Sequence, residues 1–230
     1  MPPNPPASDP ARKEHWNEQG FPVRAFVAVT IPPRLIEALK RVQDQLRATV
    51  RGELVRWTKP EQLHLTLKFL GNVPANRLEE LKAALSRACE GHPPFQLALE
   101  HLGCFPNVRN PRVIWVGIGG DRQALPRLHR SIDEATHGFG DHSEERAFQP
   151  HLTIGRVKAE PRRAMQVGAA IEQTPLGSLG EWKVDEVELM QSELLPEGAH
   201  YSKLAALALP SSVPRTACAA RPLESDGRTG

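Results

Sequence analysis

Residues 63–71, LHLTLKFLG, and residues 150–156, PHLTIGR, are the stretches that decide the fold. In the first, leucine and phenylalanine alternate with His64, Thr66 and Lys68, which predicts a strand with one apolar and one polar face. The second repeats the order histidine, leucine, threonine, aliphatic residue 87 positions later. Because chance predicts only roughly 0.01 such tetrapeptides per chain, two copies indicate a duplicated unit with a matching strand in each half.

A His-x-Thr strand can bring two chemically useful side chains to one ligand. Side chains at positions i and i+2 of a strand share a face, so His64 and Thr66 project together, as do His151 and Thr153. Imidazole exchanges a proton near neutral pH, and a threonine hydroxyl donates a hydrogen bond to an anionic oxygen. Two such strands across a cleft would supply a base, an acid and two oxyanion donors, which suits in-line displacement at phosphorus.

Other interpretations of these residues stay open. A lone strand histidine is more often structural, and a strand threonine often reflects β-propensity. Histidine also binds zinc, but the sequence has no H-E-x-x-H motif and no third ligand at a fixed spacing. No metal is therefore predicted.

Three further residues are candidates for substrate binding. Lys68 shares the predicted face of the first histidine, where it would add positive charge near a phosphate or be a solvated lysine. Strict alternation points Arg156 away from the second histidine unless Gly155 allows a bulge, in which case Arg156 reaches the phosphate. Phe26, in the first predicted strand, could stack on a nucleobase or belong to the core.

Composition limits the classes of function. The chain has 230 residues and a net charge of +2, which favours one local anionic site over a long basic groove that grips many phosphates. Its three cysteines have no C-x-x-C spacing, so neither a disulfide framework nor a cysteine zinc site is predicted. The sequence has no apolar run near the roughly 18–20 residues of a membrane helix and no apolar signal core, so the expected location is the cytoplasm.

The remaining segments alternate between strand-like and helix-like patterns, which predicts an α+β fold. Residues 1–21 and 211–230 lack apolar periodicity and are expected to be disordered tails, which leaves residues 22–210 as one folded domain. Apolar stripes at helical spacing predict helices after Pro33 and near residues 75–89, 124–136 and 162–173. Strands are predicted at residues 23–30, 55–57, 63–70, 95–102, 113–118, 150–155, 182–192 and 199–209.

Several segments resemble one family in order and spacing. HLTLKFLG at residues 64–71 and HLTIGR at residues 151–156 are similar to the paired motifs of the 2H phosphoesterase superfamily. RAFVAVTIP, RWTKPEQLHLTLKFLG, PRVIWVGI and VDEVELMQSELLPEGAHYSKL resemble, within it, the bacterial and archaeal RNA 2',3'-cyclic phosphodiesterases, long called 2'-5' RNA ligases. The resemblance covers residues 23–209 and has no counterpart for either tail.

The resemblance implies a bilobal, pseudo-twofold fold in which two antiparallel sheets face a central cleft and the helices lie outside. It implies hydrolysis of RNA 2',3'-cyclic phosphate ends to 2'-phosphates, without a metal or cofactor. By the family pattern His64 is the proton donor and His151 the proton acceptor, while Thr66 and Thr153 hold the phosphate. The motifs themselves do not assign these roles, because their symmetry equally allows the reverse.

Two functions of other classes use the same residues. Ligation of 2',5' ends would run the same chemistry backwards, and a non-catalytic RNA-end binder would need the threonines and basic residues but not both histidines. The expected partner is an RNA or oligonucleotide that ends in a 2',3'-cyclic phosphate. No membrane and no obligate protein partner are expected, and the protein is expected to be a monomer.

Overall fold

The computed structural model describes residues 21–50, 53–142, 147–196 and 198–211, which form two antiparallel β-sheets and four α-helices. This confirms the predicted α+β class. The two expected tails lie outside the described residues, apart from residues 21 and 211. No helix in the described part of the chain is long and apolar enough to cross a membrane.

The two motifs lie on strands of different sheets. The strands are β1 (Pro22–Thr30), β2 (Val55–Trp57), β3 (His64–Pro74), β4 (Phe95–Phe105), β5 (Val113–Gly120), β6 (His151–Val157), β7 (Gly180–Val184), β8 (Glu186–Leu195) and β9 (Gly198–Ala208). Sheet A has the order β3-β1-β8-β9, and sheet B has the order β2-β6-β5-β4-β7. The first motif therefore begins the edge strand of sheet A, and the second lies one strand in from the edge of sheet B.

Each of the four helices buries an apolar stripe, as the periodicity predicts. The helices are α1 (Pro33–Thr49), α2 (Leu78–Glu90), α3 (Ala124–Ala135) and α4 (Pro161–Glu172). Proline occupies the first turn of α1 and of α4, where its missing N–H costs no helical hydrogen bond. In α1 the stripe of Leu35, Leu39 and Leu46 is at most 1% exposed.

Each sheet is covered by a helix that follows a strand of the other sheet. Helix α1 follows β1 of sheet A but packs on sheet B, where Gln43 donates to the carbonyl oxygen of Ile154 in β6. Helix α3 follows β5 of sheet B but packs on sheet A, where Asp133 pairs with Lys68 of β3. Helix α2 lies beside α3, and α4 lies against β4. The two lobes consequently share one continuous hydrophobic core.

The prediction of a single strand at residues 182–192 is wrong, because this segment forms two strands that belong to different sheets. Strand β7 pairs with β4 in sheet B, whereas β8 pairs with β1 and β9 in sheet A. Buried apolar residues are two positions apart within each strand, Trp182 and Val184 in β7 and Val187 and Leu189 in β8, but three positions apart from Val184 to Val187. The chain passes from one sheet to the other at Asp185, between these two residues.

Replacing Gly168 with alanine should destabilise the fold. Alanine is favoured over glycine inside a helix by about 1 kcal/mol. A Cβ at Gly168 would however overlap the backbone carbonyl oxygen of Val108, in the connection between β4 and β5. Overpacking typically costs about 1–3 kcal/mol, so we expect Gly168→Ala to lower the melting temperature.

Thermal unfolding of Gly91→Ala is the matched control. Gly91 ends α2, and no described atom lies within 4 Å of the position that its Cβ would take. Its melting temperature should stay within about a degree or two of the wild type, as for surface substitutions away from special features. An unchanged or higher melting temperature for Gly168→Ala would show that α4 is not held tightly against the connection.

Candidate active site

A cleft of about 590 Å³ lies between the two sheets. Strand β3 contributes His64 and Thr66 to its wall, and strand β6 contributes His151 and Thr153. The four residues that the motifs single out therefore meet in one cavity, although they come from separate sheets.

Both histidines are oriented by the same backbone hydrogen bond. The Nδ1 atom of His64 lies 2.8 Å from the carbonyl oxygen of Gln62, and that of His151 lies 2.7 Å from the carbonyl oxygen of Gln149. A carbonyl oxygen only accepts, so Nδ1 carries the hydrogen in each ring. This leaves Nε2 of each neutral imidazole with a free lone pair for a substrate.

Each motif strand contains a one-residue bulge at the fourth motif position. The register of β3 with β1 skips Leu67, and the register of β6 with β5 skips Ile154. A skipped residue shifts the alternation of the side chains that follow it. The fifth residue after each histidine, Phe69 or Arg156, therefore joins the histidine and threonine on the cleft side.

Arg156 reaches the cleft as the sequence allowed, through a bulge. The skipped residue is Ile154, and Gly155 accommodates the neighbouring strand: a Cβ there would lie 2.8 Å from Val55 and 3.2 Å from Trp57. The guanidinium of Arg156 can thus approach an anion bound beside Thr153.

Lys68 lies on the opposite side of β3, contrary to the face that strict alternation predicted, and it is not among the residues that line the cleft. The bulge at Leu67 turns it toward the helices, where its ammonium group pairs with the carboxylate of Asp133. Its side chain is only 11% exposed. The hydrogen bond from Lys68 lowers the pKa of the Asp133 carboxyl below its ordinary value.

Phe26 belongs to the core, and the hypothesis that it stacks on a nucleobase does not fit its position. It is 2% exposed, and its ring centroid lies 4.8 Å from that of His64 and 5.0 Å from that of Tyr201. No face of the ring is left for a base. Phe26 instead packs against the imidazole of His64.

Burial sets the protonation of His64. Tyr201 contacts the His64 ring edge-on with centroids 5.3 Å apart, and it also contacts Phe26. Burial lowers the pKa of His64 to about 4, although the hydrogen bond to Gln62 and the charge of Glu188 oppose this effect. The free imidazole is therefore neutral at pH 7.

His151 has a comparable aromatic neighbour. The ring of Phe105 contacts it edge-on with centroids 5.0 Å apart, and Phe105 in turn packs on Trp115 at 5.3 Å. An aromatic contact and a backbone acceptor thus fix each catalytic candidate in its lobe, which limits the rotamers of both imidazoles.

Gln43 holds the second bulge in place from outside the cleft. Its amide is 2% exposed and donates to the carbonyl oxygens of Thr58, at 2.8 Å, and Ile154, at 2.9 Å. The backbone N–H of Thr58 donates to the same Ile154 oxygen at 3.0 Å. The carbonyl of the skipped residue is therefore satisfied twice, and α1 is tied to the strand that carries Thr153.

Sequence reasoning missed much of the cleft wall. Tyr201 is the chain's single tyrosine, yet the pattern of its segment indicated only a strand. The neighbours of Trp57 indicated a short strand and no role in binding. The wall residues that the motifs did not reveal include Arg56, Trp57, Lys59, Phe69, Leu194, Leu195 and Tyr201.

Neither cysteine in the described part of the chain lines the cleft. Cys89 and Cys104 are buried thiols, and burial raises the pKa of both, that of Cys89 to about 11. Cys218 lies outside the described residues. Within the described ranges, no three His, Cys, Asp or Glu side chains are grouped so that they could hold a metal ion.

Removing the phenol of Tyr201 should raise the pKa of His64. In the wild type we expect the His64 ring to titrate near pH 4, since burial disfavours its charged form. Tyr201→Ala opens one side of the ring to water, so the midpoint should move up toward the ordinary 6.5. Histidine ring signals followed by NMR across pH 3–8 measure this midpoint.

Phe69→Ala is the control for that titration. Phe69 is an exposed ring of the same cleft that contacts Phe26 and His142 rather than His64. The His64 midpoint should stay where it is in the wild type. A wild-type midpoint near 6.5 would show that water reaches the ring and that the enclosure is not effective.

Comparison with known proteins places these features in a family. Residues 31–194 match the model of the 2'-5' RNA ligase superfamily. A protein of Methanothermobacter thermautotrophicus named RNA 2',3'-cyclic phosphodiesterase is 35% identical over 182 residues, 79% of this chain and 96% of that protein. One of the same name from Thermotoga maritima is 31% identical, over 79% of this chain and 93% of its own length.

Solved structures agree with the sequence relatives. A protein of Thermus thermophilus superposes with a TM-score of 0.66 at 29% identity, covering 81% of this chain and 97% of that one. Escherichia coli LigT, solved in complex with 3'-AMP, also gives 0.66, at 26% identity over 82% of this chain and 98% of LigT. The two-sheet architecture and the resemblance noted in the sequence are thereby confirmed. The chain belongs to the 2'-5' RNA ligase superfamily of 2H phosphoesterases.

Proposed function

We propose that this protein hydrolyses RNA ends that carry a 2',3'-cyclic phosphate, the activity for which its archaeal and bacterial relatives are named. The observation that supports it most is the pair of imidazoles in one cleft, each with Nδ1 held by a backbone carbonyl two residues earlier. Such a pair offers two oriented Nε2 atoms, one for each end of an in-line displacement.

The reaction needs one proton removed and one delivered. His151 takes a proton from water as the water oxygen attacks phosphorus, and His64 delivers a proton to O3' as the P–O3' bond breaks. The product is an RNA end with a 2'-phosphate and a free 3'-hydroxyl. The assignment of the two roles follows the family pattern, and the structure supplies equivalent Nδ1 anchors for both histidines.

Three neutral or cationic donors face the developing charge on phosphorus. The hydroxyls of Thr66 and Thr153 lie on the cleft side of the motif strands, two residues after each histidine. Arg156 follows on the same face because of the bulge at Ile154. Fixed donors of this kind stabilise a pentavalent transition state without reorganising during the reaction.

The low pKa of His64 places a condition on its role as the acid. A histidine that is neutral at pH 7 must gain its proton when the substrate binds. A phosphate anion bound between the threonines favours the charged imidazole, which raises the pKa of His64 in the complex. The enclosing rings then keep water from competing for that proton.

Substitution of each histidine tests the acid–base pair. His64→Ala and His151→Ala should each lower turnover of a cyclic-phosphate RNA by about 10²- to 10⁴-fold, the usual contribution of general catalysis. Product analysis separates hydrolysis from joining of 2',5' ends and from mere retention of the RNA. Wild-type turnover in either variant would rule out the two-histidine mechanism.

Sulfur substitution in the substrate distinguishes the two roles. A cyclic phosphate with sulfur in place of O3' has a leaving group that needs little protonation, so it should restore most of the rate lost in His64→Ala and little of that lost in His151→Ala. Rescue of His151→Ala instead would reverse the roles. Rescue only when sulfur replaces O2' would mean that the product carries a 3'-phosphate.

The proposed chemistry also predicts that chelators do not change turnover. Imidazole, hydroxyl and guanidinium groups supply all the proton transfer and charge stabilisation in the scheme. Turnover after exhaustive dialysis against EDTA should therefore equal that of the undialysed protein. Loss of turnover that zinc or manganese restores would contradict the scheme.

A further inference from the structure

Two arginines stand directly opposite each other on neighbouring strands of the cleft. Arg56 of β2 is the cross-strand partner of Arg156 of β6, and both side chains line the cavity. Like charges at directly opposed positions destabilise a sheet, so an acidic residue would be the usual neighbour. Among the described residues, no carboxylate forms an ion pair with either arginine. The fold thus maintains a repulsive pair that an anionic ligand would relieve.

The positive charge extends beyond the motif residues toward one edge of sheet B. Arg156 lies beside the reacting centre, on the strand of His151 and Thr153, whereas Arg56 lies one strand further out, on the edge strand β2. Lys59, just after β2, also lines the cleft. The cations therefore form a short row that leads away from the reacting phosphate.

Tyr201 of sheet A lines the same cavity as this row of cations. Burial raises the pKa of the phenol, and the charges of Arg156, Arg24 and Arg56 act in the opposite direction. Arg156 and Arg56 of sheet B are thus close enough to influence a residue of sheet A. That facing wall is largely apolar and includes Phe69, Leu194 and Leu195, exposed by 43%, 64% and 42%.

A nucleoside 2',3'-cyclic phosphate has one phosphate, which the threonines and Arg156 can hold. A chain that ends in such a nucleotide has a second phosphate nearby, the phosphodiester on the 5' side of the terminal ribose. The cationic wall fits a backbone of two successive phosphates, and the apolar wall fits the bases. A second arginine one strand further out is therefore placed for that second phosphate.

We infer that Arg56 binds the phosphate on the 5' side of the terminal nucleotide, so that the enzyme selects RNA chains over 2',3'-cyclic mononucleotides. This inference rests on the proposed function and adds a second phosphate subsite to it. A guanidinium that bonds a phosphate in two places contributes specificity as well as charge, which a lysine would not reproduce.

Three substrates separate the phosphate from the base. They are uridine 2',3'-cyclic phosphate, its 5'-phosphorylated form, and the dinucleotide UpU with a terminal 2',3'-cyclic phosphate. In the wild type, kcat/KM for the second and third should exceed that for the first by about 10- to 100-fold, the range that a charged hydrogen bond provides. Because Arg56 is exposed, this advantage should shrink as ionic strength rises.

Variants of Arg56 assign the effect to this residue. Arg56→Gln should collapse the ratio of kcat/KM for the 5'-phosphorylated over the unphosphorylated substrate to near 1, and Arg56→Lys should restore it only in part. Arg122→Gln, at an exposed position outside the cleft, removes the same charge and should preserve the wild-type ratio. Circular dichroism and thermal unfolding establish that each variant is folded.

The outcomes are distinct. No hydrolysis of any of the three substrates by the wild type would refute the proposed function. Hydrolysis without a preference for a 5'-phosphate would refute the subsite alone, and so would a preference that survives in folded Arg56→Gln. If Arg56→Gln proves unfolded, the wild-type ratio and its salt dependence still decide whether a 5'-phosphate is recognised.

Discussion

The unpaired residue at the fourth position of each motif determines how the cleft is built. With perfect pairing, every second side chain after His64 and His151 would face the same way, and Phe69 and Arg156 would point into the core. The bulge reverses this from the fourth motif position onward. It also frees a backbone carbonyl, that of Ile154, which Gln43 and Thr58 then satisfy. A local irregularity of the ladder is thereby fixed by groups from two other segments.

The two motifs carry the same side chains at the histidine and threonine positions but different side chains five residues after the histidine. Histidine and threonine recur in both, and each histidine has the same backbone anchor, whereas the fifth residue after the histidine is aromatic in sheet A and cationic in sheet B. One wall of the cleft is consequently apolar and the other is basic. A ligand with an anionic backbone on one side and planar bases on the other fits this division in a single orientation.

Apolar alternation predicted most strands because a strand with one buried face must follow a period of two. It failed where the pairing slipped. Lys68 was assigned to the wrong face, and the segment around Asp185 was taken for one strand although the chain changes sheets there. The enclosure of His64 by Phe26 and Tyr201 depends on which strands lie side by side, and a single sequence does not contain that order.

The exchange of α1 and α3 between the sheets affects the mechanics of the molecule. Pulling the lobes apart would strip α1 from sheet B, breaking the Gln43 hydrogen bonds, and α3 from sheet A, breaking the Lys68–Asp133 pair. The lobes are therefore not hinged bodies of the kind that close around a ligand. Each sheet also takes strands from both the first and the second half of the chain, so the two sheets form together, and the spacing of the two histidines is set when the shared core forms.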